Sequence, residues 1–316
     1  MSSTSVIIPC YNDEEFVGRA IQSVLNQEHP NIELVVVDDG STDKSWDVIQ
    51  SFDEEITAIR QPNRGGSHAR NEGARAASGD TLLFLDSDDQ LSSPHTLAAL
   101  STALETEGKG IAGCFWKKLQ WTGREWQVTP SGKSFYPPDR DYIRGWLSGW
   151  FIPPGGLLWT RDAFQQVGGW DEKLHANQDG DIILRALLQG IPLHRTTQGE
   201  LLYRVYDNLD HTSVSKKNTR GALLSRARVM ERVARRLEKQ NRLSRYKTLI
   251  GRELHCIAKR GFNVAGKLDA SYRERVEEVA RLARTLAGRE AIVGSIWHRI
   301  GCSILGLRKK ERIANA

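Results

Sequence analysis

The sequence predicts an α/β fold, with a mostly parallel sheet flanked by helices and a basic helical region at the carboxyl end. Three observations predict it. Short β-branched apolar runs alternate with helical patterns in the first half of the chain. Two of these runs end abruptly in paired carboxylates, and from about residue 216 the pattern becomes helical and rich in arginine. At 316 residues the chain has room for one large domain with an appendage, or for two domains.

The first strands are predicted at residues 5–9, 32–37 and 56–59. Helical patterns follow each of them. Asp13 is the expected side-chain cap of the first helix, and Ser41 or Thr42 that of the second. A third helix follows the glycine pair Gly65-Gly66, where a helix N-terminus would favour an anion. This alternation predicts parallel strands whose carboxyl ends meet at one edge of a sheet.

The fourth predicted strand, residues 82–85, is entirely apolar and runs directly into Asp86, Asp88 and Asp89. In open α/β sheets, ligands bind at the edge formed by the carboxyl ends of the strands. Asp86 and Asp88 are two residues apart, so their oxygens can converge on a hard divalent cation that also holds phosphate oxygens. The alternative is a solvated acidic turn or a helix cap before Pro94.

Composition limits the class of protein. The chain is 39% hydrophobic and 26% charged, which is typical of a globular protein rather than a disordered or integral membrane one. Its four cysteines form no Cys-x-x-Cys pair, as expected in a reducing compartment. No signal peptide pattern precedes the first strand, so a cytoplasmic protein is expected.

Charge divides the chain into two parts. Residues 216–316 hold 26 lysines and arginines against 9 acids, a balance of +17. Subtraction from the totals of 44 and 39 leaves 18 against 30, or −12, for residues 1–215. A basic tail of this kind suits an anionic membrane, a nucleic acid or a polyanionic substrate, although a helical bundle with a solvated basic face is an equally simple reading. Helices are expected at 222–243, 246–259, 272–286 and 292–307, the last too short to span a bilayer.

Five motifs, taken in order, carry a resemblance to a known family. They are the residues VIIPCYN at 6–12, VVVDDGSTD at 35–43, ARN at 69–71 with GD at 79–80, FLDSDD at 84–89, and GGWD at 168–171 with QDGD at 178–181. In this order and spacing they resemble the family 2 glycosyltransferases of the GT-A fold. The resemblance covers about residues 5–215. It implies transfer of a sugar from a nucleotide donor, with inversion at the anomeric carbon.

The resemblance also implies roles for individual residues. Tyr11 would stack on the base, Asp39 would bind base or ribose, and Asp88 would ligate Mg²⁺ or Mn²⁺ at the diphosphate. Asp179 would act as the general base that takes the proton of the acceptor hydroxyl. The nucleotide-sugar-binding set as a whole is Pro9, Tyr11, Asn12, Asp39, Arg70, Asp86 and Ser87.

The acceptor side departs from the family pattern at one position. Gln178 stands where the family usually has Glu, next to the base. Seven of the nine tryptophans lie between residues 116 and 170, and aromatic faces stack on sugar rings, although most tryptophans pack in cores. Trp159, Trp170 and Gln178 are the expected acceptor-binding residues, and His211 is an expected second metal ligand.

The predicted organisation is a glycosyltransferase domain at 1–215 and a basic helical extension at 216–316. Within the domain, about 1–115 would bind the nucleotide-sugar, with UDP favoured by the resemblance, and 116–215 the acceptor. The extension would dock the protein peripherally at the inner face of the cell membrane or at an anionic acceptor, in surface polysaccharide or glycolipid synthesis. The alternatives are a sugar nucleotidyltransferase and a non-catalytic glycan-binding scaffold; nucleic-acid binding has no recognised module to support it.

Overall fold

The computed structural model describes residues 2–52, 54–205, 218–264 and 269–288. By contacts the chain divides into two compact units. The first comprises Met1–Tyr142, Trp150–Leu174 and Gln178–Ser213, and the second Ile143–Gly149, His175–Asn177 and Val214–Ala316. Each unit is described separately below.

Strands and helices alternate through the first unit, as predicted. The strands are β1 Thr4–Cys10, β2 Ile32–Asp38, β3 Thr57–Arg60, β4 Thr81–Phe84, β5 Gln90–Leu91, β6 Ile111–Trp121, β7 Trp126–Pro130, β8 Leu157–Thr160 and β9 Leu193–Val205. The helices of the chain up to β9 are α1 Val17–Leu25, α2 Ser45–Gln50, α3 Gly66–Ala76, α4 Thr96–Glu107, α5 Tyr142–Leu147, α6 Arg161–Val167 and α7 Gln178–Leu188. The strands, helices and hairpin expected from the sequence up to residue 205 are thus all present, with small shifts of their ends.

The strands of this unit form one mixed sheet. Within the described residues its order is β3-β2-β1-β4-β8-β6-β9-β5, and β7 pairs with β6 as the outer strand of a hairpin. The strands β1 to β4 pair in parallel, which confirms the α/β prediction for this part. Beyond β4 the sheet becomes mixed, because β8 runs antiparallel to both β4 and β6 while β9 runs parallel to β6.

The parallel strands place the acidic ends of β1, β2 and β4 at one edge. Cys10 pairs with Asp38, and Ile7 with Phe84, so the residues that follow these strands leave the sheet side by side. Residues 82–85 have no exposed surface, and β4 lies between β1 and β8 in the sheet. The edge therefore rests on a rigid core.

Two predicted helix caps are wrong. The helix α1 begins at Val17 without a side-chain cap, and α2 begins only at Ser45. The side chains expected to cap them have other partners: Asp13 is hydrogen-bonded to Ser87, and Ser41 accepts the Asn12 N–H at 2.9 Å. The loops at the sheet edge hold one another, so these polar groups are not available to the helices.

Three helices of the second unit match the predicted helical tail. They are α8 Arg220–Lys239, α9 Leu243–Val264 and α10 Ala270–Ala287, and α9 packs against both of the others. The side chains of Thr219 and Asp269 accept N–H groups at the starts of α8 and α10. A Cβ on Gly251 would stand 2.6 Å from the backbone nitrogen of Ala287, so α9 and α10 approach at backbone distance there. The helix predicted at 292–307 lies outside the described residues.

None of the helices in the described part of the chain is long and apolar enough to cross a membrane.

The contact of α3 with the sheet gives a stability prediction. A Cβ on Gly73 would lie 2.3 Å from Cγ2 of Ile7 and 3.3 Å from Cγ2 of Val37, in a fully packed layer. We expect Gly73→Ala to lower the free energy of unfolding by about 1–3 kcal/mol, because the helix must move away from the strands. Chemical denaturation followed by circular dichroism measures this change.

A second helical glycine provides the matched control. A Cβ on Gly18 of α1 would meet only side chains, the nearest atom being Cγ1 of Val48 at 3.3 Å. Gly18→Ala gains helix propensity of up to about 1 kcal/mol, which offsets the small adjustment. Equal losses of stability for both variants would contradict the close packing of α3 on β1.

Candidate active site

A buried arginine lies at the centre of the acidic edge. Arg70 of α3 is 8% exposed, and its Nη2 donates to Oδ1 of Asp86 at 2.5 Å. Its charge also interacts with the carboxylates of Asp179 and Asp88. Burial opposes the charge of Arg70, but the attraction of Asp86 and then Asp179 keeps its pKa above the ordinary value. One cation therefore joins carboxylates from β4 and α7.

The indole ring of Trp170 packs against the guanidinium group of Arg70. The guanidinium carbon of Arg70 lies 4.7 Å from the centre of the Trp170 ring, which packs edge-on against Phe84 at 5.3 Å. Asn71 fixes the backbone of the tryptophan by accepting its N–H and donating to its carbonyl, both at 3.0 Å. The ARN and GGWD motifs are thus one structure. Trp170 is only 4% exposed. Within the described part of the chain, its ring therefore supports Arg70 and does not present an open face to a sugar.

Asp179 stands at the start of α7 and is an exposed residue, although protein atoms crowd around its carboxylate. This partial loss of hydration, together with the charge of Asp86, raises the pKa of Asp179 to about 6, while Arg70 acts in the opposite direction. Its neighbour Gln178 donates to the carbonyl of Leu174 at 2.9 Å. A carboxylate with a pKa near 6 is well matched to accept a proton at neutral pH.

Asp13 is a member of the site that the sequence reading missed. Its carboxylate accepts a hydrogen bond from Ser87, and its charge interacts with Arg204, Asp43 and Asp86. Burial, followed by the neighbouring acids, raises the pKa of Asp13 to about 6. Ser87, predicted from the resemblance to bind the nucleotide, thus joins the β1 loop to the turn after β4. Only the position of Asp13 two residues after Tyr11 could have suggested this role, and a cap is the commoner reading of such a residue.

Asp89 is the most deeply buried carboxyl of the turn. It is 1% exposed and accepts the backbone N–H of Arg204 through Oδ1 at 2.8 Å. Burial, and then the charges of Asp88 and Asp86, raise its pKa well above the ordinary value. The ring of Tyr203 lies close to the same acids, and its pKa is raised by burial and by Asp89. The acidic turn is therefore crowded by like charges.

The loop after β1 presents an exposed aromatic ring and is tied to the loop after β2. Tyr11 is 51% exposed, whereas Pro9 is buried within β1. Asn12 has φ 51° and accepts the Thr42 N–H at 2.7 Å, which ties the two loops together. An exposed aromatic ring on a rigid loop is a suitable platform for a base.

The carboxylate of Asp39 accepts hydrogen bonds from within the protein. It is 2% exposed, and its carboxylate accepts the side chain of Gln61 at 2.7 Å and the backbone N–H groups of Arg64 at 2.9 Å and Gly65 at 2.7 Å. These bonds hold the loop that leads into α3. A role for Asp39 at the base or ribose, implied by the resemblance, would have to coexist with this function.

Two further site predictions have different outcomes. Trp159 is not at the site surface: it is 2% exposed on β8, where it packs edge-on against Phe164, so it is a core residue and not an exposed sugar platform. Its ring lies on a face of the sheet, against Phe164 of α6, and this packing keeps it from solvent. His211 lies outside the described residues.

The carboxylates of the acidic turn suit a divalent cation that is also coordinated by a bound ligand. Asp86 and Asp88 supply hard carboxylate oxygens of the kind that Mg²⁺ and Mn²⁺ prefer. Within the described residues, however, no group of three or more His, Cys, Asp or Glu side chains is arranged to hold a metal ion alone. A cation here would need further oxygens, and a diphosphate can supply them.

Comparison with known sequences identifies the family. Residues 5–168 match the sequence model described as Glycosyl transferase family 2. This chain belongs to that family. It is 33% identical over 233 residues to a glycosyltransferase of Nostoc sp., covering 71% of each chain, and 37% identical over 215 residues to EpsJ of Bacillus subtilis, covering 65% of this chain and 61% of that protein.

Solved structures confirm the GT-A fold. S. aureus TarS in complex with UDP-GlcNAc superposes with a TM-score of 0.67 at 19% identity, covering 95% of this chain and 92% of that chain. The mannosyltransferase PcManGT of Pyrobaculum calidifontis, in complex with GDP-Man and Mn²⁺, gives a TM-score of 0.52 at 16% identity and covers 81% of that chain. At this identity the family 2 chain shares their fold.

The charge balance around Arg70 gives a second prediction. In Arg70→Met, the attraction that lowers the pKa of Asp179 is lost, while its desolvation and the repulsion from Asp86 remain. We therefore expect the pKa of Asp179 to rise above about 6. Carbon-detected NMR titration of the aspartate carboxyl groups measures it.

Arg185→Met is the matched control, since Arg185 lies on the same helix and its Nε pairs with Asp181 at 2.7 Å. That variant should leave the titration of Asp179 where it is in the wild type. If Arg70→Met also leaves it there, the two groups are not electrostatically linked. Thermal unfolding shows whether each variant is folded under the conditions of the titration.

Proposed function

We propose that this family 2 glycosyltransferase moves a sugar from a nucleoside diphosphate donor to an acceptor hydroxyl, with inversion. The observation that carries the proposal is the ion pair of Arg70 with Asp86, placed so that its charge also reaches Asp88 and Asp179. A donor site and a candidate base are thereby held in one rigid arrangement. The UDP-GlcNAc, UDP and GDP-Man complexes of the structural neighbours support a nucleotide-sugar as the donor. We propose a UDP-sugar first.

In the proposed binding mode, the sheet edge receives the nucleotide. Tyr11 stacks on the base, with Pro9 and Asn12 shaping its loop, and Asp86 and Ser87 lie near the ribose. Asp88 reaches the diphosphate. The acceptor approaches from the side of α7, where Gln178 and Asp179 begin the helix.

Electrostatics support a metal ion at the diphosphate. Asp13, Asp86, Asp88 and Asp89 lie around this edge, and a diphosphate would add further negative charge close to them. Unscreened like charges at short distance repel strongly in a partly buried site. Mn²⁺ or Mg²⁺ bound by Asp88, with Asp86 nearby, would supply the charge that offsets the departing diphosphate.

The residues of the chain then account for the proton and the bond changes. Asp179 takes the proton of the acceptor hydroxyl, whose oxygen forms a bond to the anomeric carbon. The bond from that carbon to the diphosphate oxygen breaks on the opposite face, and the bonding electrons leave with the nucleoside diphosphate. Attack opposite to the leaving group inverts the anomeric centre.

The first test is release of nucleoside diphosphate from a panel of UDP-, GDP- and TDP-sugars, with and without Mn²⁺. We expect slow hydrolysis of one donor that depends on the metal and is abolished in Asp88→Asn. With an acceptor, Asp179→Asn should lose at least about a hundredfold in kcat, the usual contribution of a general base. The acid limb of the wild-type pH profile should have an apparent pKa near 6, because only the ionised Asp179 accepts a proton.

Other outcomes would favour the alternatives. Pyrophosphate released from a nucleoside triphosphate and a sugar phosphate would favour a nucleotidyltransferase. Glycan binding that survives Asp88→Asn, with no turnover and no nucleotide binding by calorimetry, would favour a scaffold. Either result would contradict the proposal.

We further propose that the second unit binds an anionic membrane surface, consistent with peripheral association and with synthesis of a surface polysaccharide or glycolipid. The helix α9 contains five basic residues and a single acid, Glu253. Its exposed edge carries Arg245, Arg252 and Lys259, while Ile250, Leu254, Ile257 and other apolar residues face inward. Steps of seven residues keep these three cations on one side, over about 21 Å at 1.5 Å per residue.

The docking proposal predicts a charge-dependent affinity. Each Lys or Arg near an anionic surface contributes about 1 kcal/mol, so neutralising all three cations to Gln should weaken binding to phosphatidylglycerol vesicles about a hundredfold. Co-sedimentation of the full chain measures this binding.

The control keeps the charges: Arg245→Lys, Arg252→Lys and Lys259→Arg together should bind like the wild type. Equal binding to zwitterionic phosphatidylcholine vesicles, or no difference between the two triple variants, would contradict docking through α9. Retention of a labelled RNA that competes with the vesicles would instead assign this surface to nucleic acid.

A further inference from the structure

Arg204 is an arginine near the end of β9 that no motif singled out for a role of its own. It is 3% exposed, and its guanidinium carbon lies 4.0 Å from the ring centre of Phe16 and 4.2 Å from that of Trp126. The two rings meet edge to face at 5.7 Å. A planar guanidinium packed against two aromatic rings gains cation–π attraction and loses freedom to rotate. Its orientation is therefore set by residues outside the acidic turn.

Arg204 is also hydrogen-bonded to two successive residues of the acidic turn, Asp88 and Asp89. Its Nε donates to the backbone carbonyl of Asp88 at 2.8 Å, and its own backbone N–H donates to Oδ1 of Asp89 at 2.8 Å. The turn is closed by the Asp89 N–H, which donates to the carbonyl of Asp86 at 3.0 Å. Two points of attachment from one strand fix both the place and the direction of the peptide that carries Asp88.

Charge makes this attachment more than a packing contact. Arg204 attracts the carboxylates of Asp13 and Asp89, which otherwise repel the neighbouring acids of the turn. Without a cation on this side, the turn would lower its repulsion by moving its carboxylates apart. Arg70 approaches the turn through Asp86, and Arg204 approaches it through Asp88 and Asp89.

We propose that Arg204 is a positioning residue, which holds the Asp88 carboxylate in the orientation needed to bind a divalent cation together with the diphosphate. The aromatic pair Phe16 and Trp126 contributes to this positioning, because it fixes the plane of the Arg204 guanidinium. This inference rests on the proposed role of Asp88. It assigns to the hairpin strand β7 and to the residue before α1 a function at the nucleotide site.

The test compares two conservative substitutions by calorimetry of UDP with and without Mn²⁺. Arg204→Lys keeps the charge but loses the flat group and its directed Nε–H. We expect it to reduce the gain in UDP affinity on adding Mn²⁺ by tenfold or more, and to leave the affinity without metal unchanged. Arg161→Lys is the matched control, since Arg161 also donates to backbone carbonyls, those of Gly79 and Ala77, at the far end of α3.

A second variant separates positioning from folding. Phe16→Leu leaves Arg204 and its charge in place but removes one of the two rings. We expect a smaller loss of the Mn²⁺-dependent gain, again without change in the metal-free affinity, and melting temperatures are recorded for every variant. A general loss of structure would instead weaken UDP binding with and without metal equally, and that result would overturn the positioning role.

The remaining outcomes distinguish the two proposals. If the wild type gains nothing from Mn²⁺ and Asp88→Asn behaves like it, the role of Asp88 is wrong and the inference falls with it. If Asp88→Asn abolishes the gain while Arg204→Lys and Phe16→Leu both retain it, Asp88 keeps its role and only that of Arg204 is refuted.

Discussion

The site depends on one buried charge, that of Arg70. Parallel strands deliver acidic residues to a single edge of the sheet, and this arrangement would be unfavourable if the acids faced only one another. Arg70 reaches that edge from α3, between β4 and α7, and pairs with Asp86 while attracting Asp179. Its position is secured by Trp170 beneath it and by Asn71, which holds the tryptophan backbone. A single cation thereby allows the carboxylates of Asp86 and Asp179 to lie at the same site.

The fold followed from the sequence because its signals are local. Buried strands read as continuous β-branched runs, and helices as stripes at 3.6-residue spacing, so most elements as far as β9 and the helices α8 to α10 were predictable. The short elements β5, β8, α5 and α6 were not predicted. The mixed half of the sheet was less accessible, since the direction of β8 depends on where the chain turns around Pro153 and not on any pattern within the strand. The caps assigned to Asp13 and to Ser41 or Thr42 failed for the same reason. Their partners come from other loops, far away in sequence.

Site residues could be predicted where a motif carried them and not where packing did. Asp86, Asp88 and Asp179 were expected from motifs, and the structure brings them around Arg70. Trp159 illustrates the limit, because a tryptophan in a sugar-binding region and one in a core look the same in sequence. Arg204 illustrates the opposite case. Its importance arises from two rings contributed by segments more than 70 residues away, which no spacing rule could reveal.

The burial of carboxylates, and then their crowding, also links the stability of the fold to pH. The pKa values of Asp13 and Asp179 are raised from 3.8 to about 6, so the folded protein binds these protons more tightly than the unfolded chain does. Their contribution to stability is fully present below about pH 4, diminishes as the pH rises towards 6, and is lost above it. At neutral pH, then, the protein maintains a cluster of like charges at some expense to its stability. A cation placed among them would relieve that repulsion, so the arrangement that weakens the fold would also favour the metal-bound diphosphate that we propose as ligand.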